Sequence, residues 1–184
     1  MGNAIRVGIS SCLLGNSVRY DGGHKLDRCL RDTLGALVVW VPVCPEVEYG
    51  LPIPREALRL VGDLADPRLA TDISGVDHTA GMKVWATVRL DALEREGLCG
   101  FVFKSRSPSC GLRQIKVYPR EGGVPSAAGG GIFARAFMER FPLLPVADED
   151  RLSNPALCAS FIERLLTLAH DPKPRVEPGR IRPS

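Results

Sequence analysis

The sequence predicts an α/β domain of three layers, with a mainly parallel, Rossmann-like sheet and helices on both of its faces. Apolar runs of strand length alternate along the chain with longer segments in which apolar residues recur at helical spacing. Connections rich in Gly, Pro, Asn and Ser separate these segments. In such an alternation a helix returns the chain between successive strands, which makes the strands parallel and covers both sheet faces.

The first half of the chain supplies two of the predicted strands and one helix. Residues 5–10 alternate between apolar and small or polar side chains, as a half-buried strand does. Residues 37–41 form a continuous apolar run, which is typical of a strand buried on both faces. Pro42 and Pro45 after this run are expected to interrupt strand pairing and to exclude a helix. A helix that stops near Gly35 is indicated by residues at helical spacing, namely Leu26, Cys29, Leu30 and Leu34.

The second half contains the clearest helix, predicted at 79–96 with Gly97 as its cap. Two short strand candidates, 58–61 and 68–72, are expected to form a hairpin or a loop excursion. The Gly-rich segment 122–131 is expected to be flexible. The remaining predicted elements are strands at 98–104, 115–118 and 144–146 and helices at 133–141 and 154–169.

Length and composition predict a single domain over residues 1–170. The chain has 184 residues, 45% of them hydrophobic, which is enough to bury a core. The Pro- and Arg-rich segment 171–184 is expected to be a disordered tail. A formal net charge of +3 does not demand a nucleic-acid partner. The chain shows neither an apolar stretch of the ~20 residues that a membrane span needs nor a secretory signal, so a cytoplasmic protein is expected.

The six cysteines are the feature that this composition leaves to explain. In a reducing compartment they are not expected to form structural disulfides, and the absence of any C-x-x-C pair gives no support to a zinc ribbon or a ferredoxin-type site. Cys29 and Cys158 fall on the apolar stripes of predicted helices, and Cys99 opens an apolar strand. These three are predicted to be core residues.

Cys12, Cys44 and Cys110 each follow the carboxyl end of a predicted buried strand. Because loops from these ends converge on one crevice in an open α/β sheet, the three thiols are expected to meet there. Thiolates favour zinc, copper(I) or iron–sulfur clusters. A structural zinc normally needs a fourth ligand, for which His24 is an outside candidate. A four-iron cluster held by three cysteines keeps one iron open for a substrate.

Polar residues in the same loops have both a functional and a structural interpretation. Glu46 could deprotonate a water or pair with an arginine, and Ser107 could orient a water or cap its turn. Asp21 is typical of an Asx turn. The glycines at 129–131 could cradle a phosphate at a helix start. Nearby basic residues could bind a phosphate or lie in solvent, and these are Arg19, Arg55, Lys104, Arg106 and Arg113.

Several motifs in this order carry a resemblance to a known family. The most specific combination is Ser-Cys-Leu-Leu-Gly at 11–15, Pro-Val-Cys-Pro-Glu at 42–46 and Ser-Pro-Ser-Cys-Gly at 107–111. Arg-Tyr-Asp-Gly at 19–22 and Gly-Val-Asp-His-Thr at 75–79 accompany it. Over roughly residues 5–165 the chain resembles the thiouracil desulfidases, an α/β family long classed as a domain of unknown function.

The resemblance implies an iron–sulfur enzyme with a non-redox desulfidase activity. In that family three cysteines bind a [4Fe-4S] cluster whose open iron takes the sulfur of a thiolated uracil, and water replaces that sulfur. The implied ligands are Cys12, Cys44 and Cys110, and the implied acid/base pair is Glu46 and Ser107. Further substrate-binding candidates are Ser11, Arg19, Asp21, Lys104 and Ser109.

The predicted function is therefore hydrolytic removal of sulfur from a small thiolated pyrimidine. Its substrate would be 4-thiouracil, 2-thiouracil or 4-thio-UMP, and its products uracil or UMP and hydrosulfide. One alternative is a structural zinc or iron–sulfur protein without catalysis. Another is a desulfidase of thiouridine in tRNA, which predicts a continuous basic face. A cysteine hydrolase that uses Cys110 lacks a supporting histidine arrangement.

Overall fold

The computed structural model describes residues 4–120 and 122–170, and it contains two four-stranded sheets. In the first sheet all neighbouring strands are parallel, in the order β2-β1-β5-β8. This arrangement confirms the predicted α/β class with a mainly parallel sheet. The strands are β1 Arg6–Ser10, β2 Val39–Val43, β5 Gly100–Phe103 and β8 Val146–Asp148.

The second sheet has the order β4-β3-β6-β7 and mixes both orientations. β3 and β4 form an antiparallel hairpin, which is one of the two alternatives predicted for this pair. The β3–β6 pair is parallel and the β6–β7 pair is antiparallel. These strands are β3 Leu58–Val61, β4 Arg68–Thr71, β6 Ile115–Tyr118 and β7 Ser126–Ala128.

Among residues 4–120 and 122–170, five α-helices and three short helical turns accompany the strands. The turn Ser11–Leu14 follows β1, and a π-helical turn with a 3₁₀ turn (Cys29–Thr33 and Leu34–Ala36) stands where a longer helix was predicted. The α-helices are α1 Pro45–Glu48, α2 Thr79–Glu96, α3 Ile132–Arg140, α4 Glu149–Leu152 and α5 Pro155–His170.

Both faces of the parallel sheet are covered, which confirms the three-layer arrangement. Phe101 and Phe103 of β5 point to one face, where they pack with Phe133 and Phe137 of α3. Val102, the residue between them, points to the other face and packs with side chains of β1 and α5. This alternation follows from the pleat of a strand. A third apolar cluster lies between the second sheet and helices α2 and α3.

The apolar stripe predicted for α2 is confirmed. All four of its residues are buried, namely Met82, Ala86, Leu90 and Leu93. Gly97 ends the helix in the left-handed conformation, with φ 69°, that favours glycine at this position.

Four sequence predictions in the first half of the chain are wrong in detail. β2 is an edge strand, so Val39 is exposed and Pro42 sits inside the strand with its missing N–H directed away from a partner. Pro45 does not exclude a helix, because it occupies the first position of α1, where proline is favoured. Cys29 lies in the π-helical turn and is exposed instead of filling the core.

Of the other two cysteines predicted to be core residues, Cys99 is buried and Cys158 is half-buried. The Gly-rich segment predicted to be flexible contains β7. The predicted tail, 171–184, lies outside the described residues, and the single-domain extent of 1–170 remains a prediction. Among residues 4–120 and 122–170, no helix has both the length and the apolar character that crossing a bilayer requires.

Candidate functional site

Cys12, Cys44 and Cys110 line one cavity of about 450 Å³ at the carboxyl edge of the parallel sheet. Each follows a different strand of that sheet: β1, β2 and β5. The chain runs from β1 to β2 on one side and later reaches β5 on the other side of β1. This reversal makes β1/β5 a topological switch point, which is where open α/β sheets form ligand crevices. The convergence of the three thiols predicted from the sequence is therefore observed.

Local hydrogen bonds fix the first two cysteine loops. Cys44 is the N-cap residue of α1, and its backbone N–H donates to Glu48 Oε1 at 2.9 Å. The turn that contains Cys12 ends at Gly15, whose φ of 93° favours glycine. The Cys12 carbonyl also accepts the backbone N–H of Lys25 at 2.9 Å, which ties the following loop to the turn.

The Cys110 loop is held by a serine and by the start of α3. Ser107 Oγ accepts the backbone N–H of Cys110 at 3.1 Å and that of Ser109 at 3.3 Å, so Ser107 caps this turn. The first backbone N–H groups of α3 donate to carbonyls of the same loop, among them Phe133 N to Ser109 O at 3.0 Å. The free N–H groups at the start of the helix are therefore bonded to the backbone of the loop that carries Cys110.

Residues 129–131 do not form the phosphate-binding loop that the sequence allowed. The backbone N–H of Gly131 donates to the carbonyl of Gly111 at 2.7 Å, and that of Ile132 donates to Pro108 at 3.2 Å. A Cβ at Gly131 would lie 2.5 Å from the Pro108 carbonyl oxygen. The glycine is needed for this close backbone approach, and the helix start is closed to a phosphate.

The three thiols are protonated at neutral pH in the protein without a metal. Burial, together with the nearby Cys44 sulfur, raises the pKa of Cys12 to about 11. Burial also raises the pKa of Cys44 and, more strongly, that of Cys110, although a hydrogen bond with the Ser10 hydroxyl lowers the latter. The Cys44 sulfur raises the pKa of both Cys12 and Cys110, which reflects the proximity of the three thiols. A metal centre at this point would have to displace their protons.

Glu46 is held at the cavity by an arginine and a serine. Its Oε2 accepts Arg55 Nη2 at 2.7 Å and Arg55 Nε at 2.9 Å. Its Oε1 accepts the Ser109 hydroxyl at 3.0 Å. The Glu46 side chain is 15% exposed and Arg55 is 5% exposed, so this ion pair lies largely out of solvent. Glu46 therefore has both the arginine partner that the sequence allowed and a position on the cavity wall.

Lys104 forms a second ion pair at the cavity, with Glu149 of α4. Glu149 also accepts the backbone N–H of Ser105 at 2.7 Å and its hydroxyl at 2.6 Å. The Lys104 backbone N–H donates to Ser10 Oγ at 2.9 Å, next to the cysteine loop of β1. Glu149 was not among the residues predicted for the site, although it directly follows β8 and so lies at the same sheet edge as the cysteines.

The other candidate residues divide between the cavity wall and its surroundings. Ser11 and Arg19 line the cavity; Ser11 accepts Asn16 Nδ2 at 2.8 Å, and Arg19 lies 3.4 Å from the Asp21 carboxylate. Asp21 is exposed and forms the expected Asx turn with Gly23. Ser109 is completely buried beneath the wall.

A second cavity, of about 780 Å³, adjoins the first. The two share Ala57, Leu58, Ser105, Arg106 and Pro108. Arg113 lines only the second, where it lies 3.4 Å from Asp148.

His24, the outside candidate for a fourth zinc ligand, is exposed, and its Nδ1 accepts the backbone N–H of Leu26 at 3.2 Å. Within the described part of the chain, no three His, Cys, Asp or Glu side chains come close enough together to surround a single metal ion.

A parallel α/β sheet with three thiols at its switch point defines a protein suited to hold a soft metal centre against a small-molecule pocket. Residues 7–149 match the model of the 2-thiouracil desulfurase family, and the chain belongs to this family. It is 30% identical to the uncharacterised protein YbbK of Bacillus subtilis (strain 168) over 108 residues, 56% of this chain and 71% of YbbK.

A solved structure supports the same relationship. The chain is similar to the [4Fe-4S]-dependent thiouracil desulfidase TudS, with a TM-score of 0.66 and 34% sequence identity. The similarity covers 85% of this chain and 98% of the TudS chain.

Proposed function

We propose that this protein is a [4Fe-4S]-dependent desulfidase that hydrolyses the C–S bond of a thiolated uracil, as the free base or its nucleotide. The observation that carries the proposal is the meeting of Cys12, Cys44 and Cys110 in one cavity, with Glu46 on the same wall. Family membership and the similarity to a [4Fe-4S]-dependent desulfidase support it.

The residues of the cavity fit an iron–sulfur cluster. The donor set is three thiols, which are the ligands that such clusters use. A four-iron cluster is larger than a single ion, so its ligand sulfurs stand farther apart than those of a single-metal site, and the described residues form no such single-metal site. When bound, the cluster would supply an iron without a protein ligand, a Lewis acid suited to the sulfur of a thiocarbonyl group.

Glu46 is our candidate for the group that takes a proton from the attacking water. Its carboxylate lies on the cavity wall and is two residues from Cys44. The Ser107 hydroxyl lines the same cavity, and its proton is not used in the two hydrogen bonds that its oxygen accepts. Ser107 can therefore donate to the substrate or to the water while it caps the Cys110 turn.

The reaction is balanced without an electron donor. The oxygen of water bonds to the ring carbon as the C–S bond breaks, one proton of the water passes to Glu46, and the other leaves with the sulfur as hydrosulfide, so that C=S becomes C=O. Lys104 and Arg19 offer positive charge on the cavity wall, where they would face the developing negative charge or a phosphate of the substrate. Ser11 is a further wall residue in reach of the substrate.

Anaerobic reconstitution with iron and sulfide, followed by an assay of sulfide release, tests this proposal. We expect a brown protein that releases sulfide from 4-thiouracil, 2-thiouracil or 4-thio-UMP. Substitution of Cys12, Cys44 or Cys110 by Ala should abolish both the cluster and the activity. Cys29→Ala is the matched control, because Cys29 is exposed and outside the cavity.

Two results would overturn the proposal. A colourless protein that binds one zinc would favour the structural metalloprotein. A cluster-loaded protein that leaves all three compounds intact but acts on thiolated tRNA would favour the RNA substrate.

A further inference from the structure

We propose that Arg55 and Ser109 are positioning residues for Glu46, and that Arg55 holds this carboxylate and the loop beside Cys44 in one arrangement. The inference rests on the proposed function, in which Glu46 takes the proton of the attacking water. Neither residue needs to touch the substrate for this role. Ser109 has no exposed surface, and the Arg55 side chain is 5% exposed.

The Glu46 carboxylate is fixed at both of its oxygens. Arg55 donates twice to Oε2, through Nε and Nη2, and Ser109 donates to Oε1. Hydrogen bonds to an ionised group are shorter and stronger than neutral ones. A glutamate side chain has several rotatable bonds, and donors on both oxygens remove the freedom of its last one. The carboxylate is therefore held in one orientation on the cavity wall.

Arg55 also reaches two backbone carbonyls. Its Nη2 donates to Val18 O at 2.9 Å, and its Nη1 donates to Pro52 O at 3.3 Å. Val18 lies in the loop that follows Cys12, and its carbonyl also accepts the Cys44 thiol, at a distance of 3.8 Å. Once Cys44 is a metal-bound thiolate it has no proton to donate, and Arg55 remains the donor to this carbonyl. The guanidinium thus joins Glu46 to two of the three cysteine loops.

A second ion pair between an arginine and a glutamate of α1 allows a comparison. Arg89 of α2 lies 3.0 Å from Glu48, which is two residues after Glu46 in α1, and neither residue lines the cavity. If Arg55 served only to anchor α1, the loss of Arg89 would have a comparable effect. If Arg55 orients Glu46, the two variants should differ in turnover.

The experiment compares Arg55→Gln, Arg55→Lys, Ser109→Ala and Arg89→Gln after anaerobic reconstitution. Iron and acid-labile sulfide are counted per chain, and kcat is expressed per cluster. We expect cluster content to be kept, KM to change little, and kcat of Arg55→Gln to fall about a hundredfold, the usual effect of a misplaced catalytic group. Ser109→Ala should lose about tenfold, as for one hydrogen bond to a charged group.

Arg55→Lys should recover part of the lost turnover, because an ammonium group can reach Oε2 but cannot also hold both carbonyls. A crystal structure of the metal-free Arg55→Gln protein should show the Glu46 carboxylate turned away from Ser109. Arg89→Gln should retain the wild-type kcat per cluster.

The inference fails if kcat per cluster of Arg55→Gln and Ser109→Ala equals that of Arg89→Gln, or if their whole loss is a loss of cluster. It also fails if Glu46 keeps its place in the crystal structure. These results differ from a failure of the proposed function, in which the wild-type protein itself releases no sulfide.

Discussion

The burial of the Cys12 thiol makes the metal-free protein sensitive to alkali. Its pKa is raised from 9.0 to about 11 in the folded protein, mainly by burial. Between these values the unfolded chain binds fewer protons than the folded chain, so raising the pH favours unfolding. The stabilisation is fully present below pH 9 and is lost as the pH rises through about 11.

We therefore expect the metal-free protein to lose about 2 kcal/mol of unfolding free energy through Cys12 between pH 9 and pH 11. Urea unfolding across this range measures the loss. Since lysines and tyrosines titrate in the same range, the comparison is with Cys12→Ala, which should show a shallower decline. Equal slopes for the two proteins would contradict the burial of this thiol.

At the scale of elements, the start of α3 and the Cys110 loop form one unit. The loop carbonyls accept the first N–H groups of the helix, and Gly131 lets the two backbones approach. A methyl group at Gly131 would lie 2.5–2.6 Å from backbone atoms of Pro108 and Ser109. These neighbours are backbone, so they cannot move aside as a side-chain end can.

Gly131→Ala is accordingly expected to destabilise the protein by about 1–3 kcal/mol and to lower its capacity for the cluster. Chemical unfolding and iron content measure the two effects. Gly129→Ala is the matched control, because its Cβ would meet only the guanidinium of Arg135, at an ordinary contact distance of 3.5 Å. If Gly131→Ala behaved like Gly129→Ala, the close contact would have no role in placing Cys110.

The elements also show what sequence patterns can and cannot predict. Helix α2 was predictable to its ends, because an apolar stripe and a Gly97 cap are both local signals. The position of the three cysteines was predictable because strand ends of a parallel sheet share one edge. The exposure of Cys29 was not predictable, since a π-helical turn rotates the apolar stripe that a regular helix would bury.

The hydrogen-bond partners of Glu46 could not be predicted from the sequence. Ser109 lies 63 residues from Glu46 in sequence, and only the packing of the Cys110 loop against α1 brings them together. The sequence also did not separate Arg55 from the other basic residues near the loops. Its burial and its hydrogen bonds to backbone carbonyls, which distinguish it, are seen only in the structure.

At the scale of the whole molecule, the site lies on loops that extend from the packed layers of the parallel sheet and its helices. Cys12, Cys44 and Cys110 stand on three strands whose side chains belong to apolar clusters on both sheet faces. Of the three proposed ligands, Cys12 and Cys110 belong to these clusters, and every other buried member is a hydrophobic side chain outside the proposed ligand set. The metal-free protein should therefore keep its fold, and a bound cluster should add stability by joining three distant points of the chain.

This predicts that reconstitution raises the thermal unfolding midpoint while the far-UV circular dichroism stays the same. Binding at a hundredfold excess over the dissociation constant stabilises by about 2.7 kcal/mol, which corresponds to roughly 5–10 °C for a chain of this size. Cys110→Ala should lose the increase and Cys29→Ala should keep it. An unfolded metal-free protein would show instead that the cluster, and not the apolar layers, holds the sheet together.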